Sequence, residues 1–388
     1  MHYHIQLLNA ISNIVKTILP NDTYTMTDQI DQPDALLVRS AKIHDMSFSP
    51  NLRAIARAGA GVNNIPVDRC TEEGIVVFNT PGANANAVKE LVLAGMLLST
   101  RNLVSASDWV RTLRGQDQVA AKVEEGKKQF VGHELRGKTI GVIGLGAIGV
   151  MVANQGYGLD MNIIGYDPFI SVEHAWKLSR AVKHATDLHT MLSQCDFVSI
   201  HVPLMEQTKH LIDSAALAAM KPGATLLNFA RGELVDTSAV LHTLDQGHLR
   251  NYVVDFPNEA LLNNPNVICL PHLGASTVES EENCAEMAAS QLRDYLENGN
   301  IVNSVNFPNC KMPRSGVMRI CLINRNTPNM INQFTAFLSE KEVNIANLLN
   351  KSRNDYAYTI IDLDQTISSD GIAELSSIKG VIRCTVFQ

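Results

Sequence analysis

Apolar positions in the first part of the chain recur in short alternating runs. His4–Asn9 (HIQLLN) reads as a strand, Ile11–Leu19 carries apolar residues at helical spacing, and Thr23–Met26 and Ala35–Ser40 read as further strands, the last ending in a polar turn. Strands alternating with helices predict a parallel sheet. Leu52–Gly61 (LRAIARAGAG) runs a strand into a turn holding Gly59 and Gly61, and Gly74–Asn86 opens a strand into a loop of Pro, Gly and Asn. Ligand loops are expected at such places, outside the carboxyl ends of strands.

A long apolar helix from Ala87 to Val104 changes the rhythm, with a crossover between domains near residue 88 and a polar stretch after it holding Gly115, Gly126, Lys127 and Lys128. A second alternation starts at Lys138–Gly149 (KTIGVIGLGAIG). It continues through Asn162–Pro168, Cys195–Pro203, Ala224–Glu233, Tyr252–Pro257 and Asn266–Ser276, the pattern of one doubly wound sheet. The helix Ser280–Gly299 leads into a Pro- and Asn-rich return segment and a linker up to Gly316. The remainder restarts in β-α-β-β-α-β order, which predicts a small separate domain. The expected fold is therefore α/β, with two flavodoxin- or Rossmann-like parallel-sheet domains and a C-terminal ferredoxin-like domain. The expected division is 1–88 with 283–310, then 89–282, then 316–388. Helices beginning near Ala87 and Ser280 are expected to join the two large domains and act as hinges.

Composition narrows the class. A chain of 388 residues is too long for one ordinary core, and 45% apolar with 18% charged residues is ordinary for a globular protein. A formal charge of -7 with scattered Lys and Arg argues against a nucleic-acid footprint. Seven cysteines, none in a Cys-x-x-Cys pair, read as free thiols in a reducing compartment rather than disulfides or a metal site. No uncharged apolar run approaches a membrane span, and polar residues interrupt the apolar N-terminus, so the cytoplasm is expected.

Gly144-Leu145-Gly146-Ala147-Ile148-Gly149 follows the strand Thr139–Ile143 and opens a helix, the context in which this glycine pattern signals a dinucleotide. Gly144 allows the tight turn, Gly146 a close approach to the pyrophosphate, and Gly149 close helix–strand packing. Asp167 closes the next strand, where a carboxylate accepts from ribose hydroxyls and repels a 2′-phosphate, so NAD is favoured over NADP.

Arg231 in NFARGE, Glu259 in DFPNEAL and His272 in LPHLGAS fall at strand ends on the carboxyl side of the same sheet. A base that removes a hydroxyl proton while a hydride leaves carbon suits histidine near neutrality. An arginine suits a substrate carboxylate. The order of these motifs resembles the D-isomer-specific 2-hydroxyacid dehydrogenases over essentially the first 310 residues. The resemblance implies His272 as base, Glu259 as its partner and Arg231 as carboxylate clamp. It also implies cofactor contacts from Val202, Pro203, Phe229, Ala230, Asp255, Gly274 and Ala275. Asp255 directly precedes Phe256, whereas the family commonly has a residue between them, and Ala260 stands where a Pro is common.

Arg39-Ser40 and Arg57-Ala58-Gly59-Ala60-Gly61 are similar to the substrate elements of family members that act on phosphoglycerate. Two arginines suit a phosphate, and Gly59, Ala60 and Gly61 offer backbone N–H groups to a carboxylate; Lys127 or Lys128 could add a further cation. The C-terminal segment resembles an ACT domain, a small amino-acid-sensing module, with Asn324, Asn326 and Asn344 at effector positions. Asn324 stands where that module has His. Asn329 replaces a glycine, a change expected to alter the turn. The resemblance implies NAD-dependent oxidation of 3-phosphoglycerate to 3-phosphohydroxypyruvate, the first step of L-serine biosynthesis, by a homodimer or homotetramer that takes small molecules, with no nucleic acid, membrane or metal. A glyoxylate or hydroxypyruvate reductase and a catalytically silent dinucleotide sensor are the alternatives.

Overall fold

The computed structural model describes residues 2–387, which form two compact units: residues 2–83 with 281–387, and residues 84–280.

In the first unit, strands β1 (Tyr3–Leu8), β2 (Tyr24–Thr27), β3 (Ala35–Val38), β4 (Ala54–Arg57) and β5 (Val76–Phe78) make a parallel sheet in the order β2-β1-β3-β4-β5. Its central strands read as unbroken apolar runs because both faces are covered. Leu37, Ala56 and Phe78 face a cluster that includes Ala285, Ala288 and Leu292. Their neighbours Leu36, Ile55 and Val77 face Ile43, Ile65 and Cys70 on the other side.

The C-terminal part of this unit folds as the antiparallel sheet β14-β15-β13-β16, from β13 (Met318–Arg325), β14 (Ile345–Arg353), β15 (Tyr356–Leu363) and β16 (Val381–Phe387). Helices Met330–Glu340 and Ser369–Ser377 cover one face. The other face is not solvated, as a separate domain would require. Cys321, Ile323, Tyr358 and Ile360 join Tyr295, Leu296 and Phe307 in the core of the parallel-sheet region. Residues 300–316, expected to be a return segment of the first domain and then a linker, are packed as well, with Phe307, Cys310 and Met312 buried. Polar bonds seal this junction. Arg319 and Asp362 form a fully buried pair at 2.6 and 2.8 Å, and the same guanidinium donates to the carbonyls of Asn298 and Pro313, both at 2.9 Å.

The second unit is a seven-stranded parallel sheet, order β12-β11-β10-β9-β6-β7-β8. Its strands are β6 (Thr139–Ile143), β7 (Asn162–Tyr166), β8 (Lys183–His184), β9 (Phe197–Ile200), β10 (Ala224–Asn228), β11 (Leu249–Val254) and β12 (Val267–Cys269). β6 pairs with β7 on one side and β9 on the other, so the chain order reverses there and leaves the crevice in which α/β sheets bind ligands. The apolar helix spans Ala85–Arg101 and breaks at Asn102, whose φ is +49°. Leu103 and Val104, expected in that helix, begin a second one, Leu103–Thr112, and the polar stretch after them forms helix Val119–Gly126. Leu103, Val104, Val110 and Val119 of those helices are exposed. No helix among the described residues is long and apolar enough to cross a membrane.

Candidate active site

The glycine loop follows from steric need. Gly144 has φ +86°, and a Cβ there would sit 2.7 Å from the His201 carbonyl oxygen. A Cβ on Gly149 would collide with the Gly144 carbonyl, so the helix Ala147–Gly158 can approach the strand only without one. Gly146 has no atom within 4 Å of its Cβ position, which leaves space for a phosphate before the helix N-terminus, as Ala147 and Ile148 enter its first turn. Asp167, just past β7, accepts the Leu145 N–H at 2.8 Å and the Phe169 N–H at 2.8 Å. Val202 and Pro203 follow β9, and Phe229 and Ala230 follow β10, on the same edge of the sheet. These residues fit a dinucleotide laid across the carboxyl ends of the strands.

Buried Asn228 shapes the turn after β10: its amide donates to the Arg231 carbonyl at 2.8 Å and its oxygen accepts from Ala230 N–H at 3.2 Å. The Asn of the Asn-x-Ala-Arg-Gly motif was the signal for this role, and it was not singled out. Arg231 is exposed, and its guanidinium lies 5.8 Å from the centre of the Phe256 ring. The same ring packs on His272, with centroids 4.6 Å apart and planes at 51°. Phe256 thus stands between the two residues, a contact that sequence reasoning missed.

His272 has φ +56°, uncommon for a side chain with a Cβ. Asp255 holds that turn: its fully buried carboxylate accepts the N–H groups of Leu273 at 2.7 Å and Gly274 at 2.8 Å. Burial raises the Asp255 pKa, against the opposing effect of those N–H groups. Glu259 opens the short helix Glu259–Leu262, is exposed, and makes no ion pair or side-chain hydrogen bond with His272. Ala275 lies one residue beyond the Asp255-bound turn. Beneath the glycine loop, His201 bonds Ser199 Oγ at 2.8 Å, and burial pushes its pKa down to about 3.

In the other unit, Arg39 follows β3 and Arg57 ends β4, and the Arg57 Nε donates to the Arg39 carbonyl at 3.1 Å. The Arg57 side chain folds over Gly59, where a Cβ would collide with it. The Asn79 amide donates to the Ala60 carbonyl at 2.6 Å and Asn9 accepts the Ser40 N–H at 3.1 Å. Arg39, Arg57 and the turn through Gly61 are thus assembled at one edge. Glu281, unforeseen, pairs with Arg39. Lys127, by contrast, pairs with Glu124 on the surface of the second unit.

The C-terminal asparagines do not converge. Asn324 is buried and donates to the Arg325 carbonyl at 2.7 Å, and Asn326 donates to the Asn354 carbonyl at 3.0 Å. Asn344 instead pairs with Asp364 at the far end of β15, roughly 24 Å away at the usual strand rise. Asn329 keeps the turn that its replacement of glycine was expected to alter. Its φ is +73°, a conformation asparagine tolerates better than most residues.

Comparison with known proteins agrees with this geometry. The NAD-binding domain of the D-isomer specific 2-hydroxyacid dehydrogenases matches residues 93–274. A D-3-phosphoglycerate dehydrogenase of Haemophilus influenzae is 34% identical over 353 residues, covering 87% of this chain and 82% of that protein. One of Methanocaldococcus jannaschii is 38% identical over 303 residues, 76% of this chain, which spans only 56% of that longer relative. Among solved structures, the NAD+-bound 3-phosphoglycerate dehydrogenase of Entamoeba histolytica superposes with a TM-score of 0.63 at 26% identity, covering 79% of this chain and 99% of that one. An NADPH-dependent glyoxylate/hydroxypyruvate reductase of Sinorhizobium meliloti gives 0.66 at 25%, covering 78% and 98%. The chain belongs to the D-isomer-specific 2-hydroxyacid dehydrogenase family. It is an NAD-dependent dehydrogenase.

Proposed function

We propose that the chain oxidises 3-phosphoglycerate to 3-phosphohydroxypyruvate, the first step of L-serine biosynthesis, in the cytoplasm. The observation that carries the substrate is the placement of Arg57, which holds the Arg39 carbonyl, beside the Gly59–Gly61 turn, since an unphosphorylated hydroxy acid needs no cation beyond the one that holds its carboxylate. NAD, when bound along Gly144–Gly149 with its ribose at Asp167, supplies the acceptor for the hydride. Val202, Pro203, Phe229, Ala230, Gly274 and Ala275 line its path. His272 takes the C2 hydroxyl proton, and Arg231 holds the carboxylate and polarises the C2 oxygen. Glu259 partners the His272 ring once substrate is present, because catalytic hydrogen bonds often tighten only in the complex. Arg57, Ser40 and Arg39, which exchanges its Glu281 partner for the ligand, take the phosphate, and Gly59, Ala60 and Gly61 offer N–H groups.

The C-terminal sheet acts as an ACT domain. Asn324 and Asn326 lie at one end of it and Asn344 at the other, so one effector touching all three needs a second copy of the chain, in keeping with a homodimer or homotetramer. The exposed apolar residues on helices Leu103–Thr112 and Val119–Gly126 suit pairing of the nucleotide-binding units.

The test is NADH consumption with phosphohydroxypyruvate, hydroxypyruvate and glyoxylate, beside His272→Ala. Preference for the phosphorylated acid, lost in Arg39→Ala and Arg57→Ala, is the expected result. Preference for glyoxylate or hydroxypyruvate assigns a reductase instead; NADH binding without turnover of any acid assigns a sensor.

A further inference from the structure

A cleft of about 360 Å³ opens between the end of the β14–β15 hairpin and the segment after helix Val278–Asn298. Its walls carry Asn79, Asn303, Asn309, Ser352 and Arg353 over the buried ring of Phe307. No acidic residue lines it. Arg353 donates one N–H to the Ser304 carbonyl at 3.1 Å and forms no ion pair among the described residues. A guanidinium has five N–H donors, so Arg353, which lines the cleft, keeps donors for a ligand.

We propose that this cleft binds a small α-amino or α-hydroxy carboxylate. The carboxylate sits on the Arg353 guanidinium, and the asparagine amides and Ser352 take the polar remainder. The site is separate from the Asn344 end of the sheet and independent of which acid the enzyme turns over. It is also wired to the substrate-side turn through Asn79. That residue's N–H donates to the Asn303 carbonyl at 3.3 Å, its carbonyl accepts from Gln291 at 3.2 Å, and its amide reaches Ala60. Occupancy therefore presses on the Gly59–Gly61 turn and acts on substrate KM.

Titration calorimetry of the full chain with L-serine, L-alanine, L-lactate and inorganic phosphate tests this. At least one carboxylate should bind saturably at millimolar concentration. Affinity should fall about tenfold or more in Arg353→Ala, the loss expected for one charge-assisted contact. Asn309→Asp should lower it as much, because it sets a negative charge in the cleft yet keeps the oxygen that accepts the Asn303 N–H at 2.9 Å. Since that variant preserves the local bonding, it separates lost binding from lost folding, with thermal melting as the check. Asn344→Ala should leave the affinity of this cleft unchanged, whatever it does to an effector held at the asparagine positions of the sheet. Absence of carboxylate binding, binding of phosphate alone, unchanged affinity in Asn309→Asp, or loss confined to Asn344→Ala would each overturn the proposal.

Discussion

Asp167 Oδ2 accepts the backbone N–H of Leu145 at 2.8 Å, tying the acid after β7 to the residue between the first two loop glycines. The bond fixes a negative charge beside the phosphate-binding turn, where a 2′-phosphate would have to sit. Asp167→Ala should therefore weaken NADH binding and narrow the preference for NADH over NADPH by roughly tenfold to a hundredfold, one or two charge-assisted hydrogen bonds in magnitude. The measurement is kcat/KM with each reduced cofactor; an unchanged preference would place the discrimination elsewhere.

Asp255 makes a different prediction because both its oxygens already hold the turn that carries His272. An asparagine offers one oxygen and one NH2 group, and the NH2 would face a backbone N–H across a buried gap. Asp255→Asn should lower kcat about tenfold or more, a cost of about 1.4 kcal/mol in the barrier, while KM for NADH changes little. A raised NADH KM at preserved kcat would instead assign the carboxylate to the nicotinamide.

The readable parts of this protein were those in which a local backbone requirement dictates residue type. The glycine loop is of this kind, since Gly144 and Gly149 admit no Cβ, and so are the alternating strands, whose two buried faces produce continuous apolar runs. Contacts between distant segments left no such mark. Glu281 meets Arg39 from 242 positions away, and Phe256 reaches His272 across separate strand ends. Helix Val119–Gly126 begins at Gln118, at positive φ and without a side-chain cap, so the usual start signal was missing there, and Asn102 at the start of Leu103–Thr112 makes no cap bond either. The burial of both faces of the C-terminal sheet was written in Cys321, Ile323, Tyr358 and Ile360, but an apolar β-strand does not announce which neighbour covers it.

His201 predicts a pH response. Its folded-state pKa, pushed down to about 3 by burial, lies below the ordinary value near 6.5. Between those values the unfolded chain binds a proton that the folded chain does not, so the contribution is intact above about pH 6.5 and is lost as pH falls toward 3. Thermal melting of the parent chain should drop across that window, and His201→Gln should lose part of the slope while retaining a partner for Ser199. Parallel melting curves for the two proteins would show that the acid sensitivity has another source.

The buried pair of Arg319 and Asp362 allows the junction of the C-terminal sheet to be tested. Removing one partner strands a charge, so Asp362→Ala should cost about 3–5 kcal/mol, whereas replacing both with apolar residues of similar volume, Arg319→Met with Asp362→Leu, should cost much less. The double variant still loses the guanidinium bonds to the Asn298 and Pro313 carbonyls, which are what attach β13 to the end of helix Val278–Asn298. Denaturant unfolding should therefore rank the single variant as the least stable. Hydrogen exchange should show amides of β13 and β15 less protected in both variants, because the attachment is cut in one and left without its counter-charge in the other. Equal destabilisation by the single and double changes would mean that the bonds to Asn298 and Pro313, rather than the ion pair, hold the sheet in place.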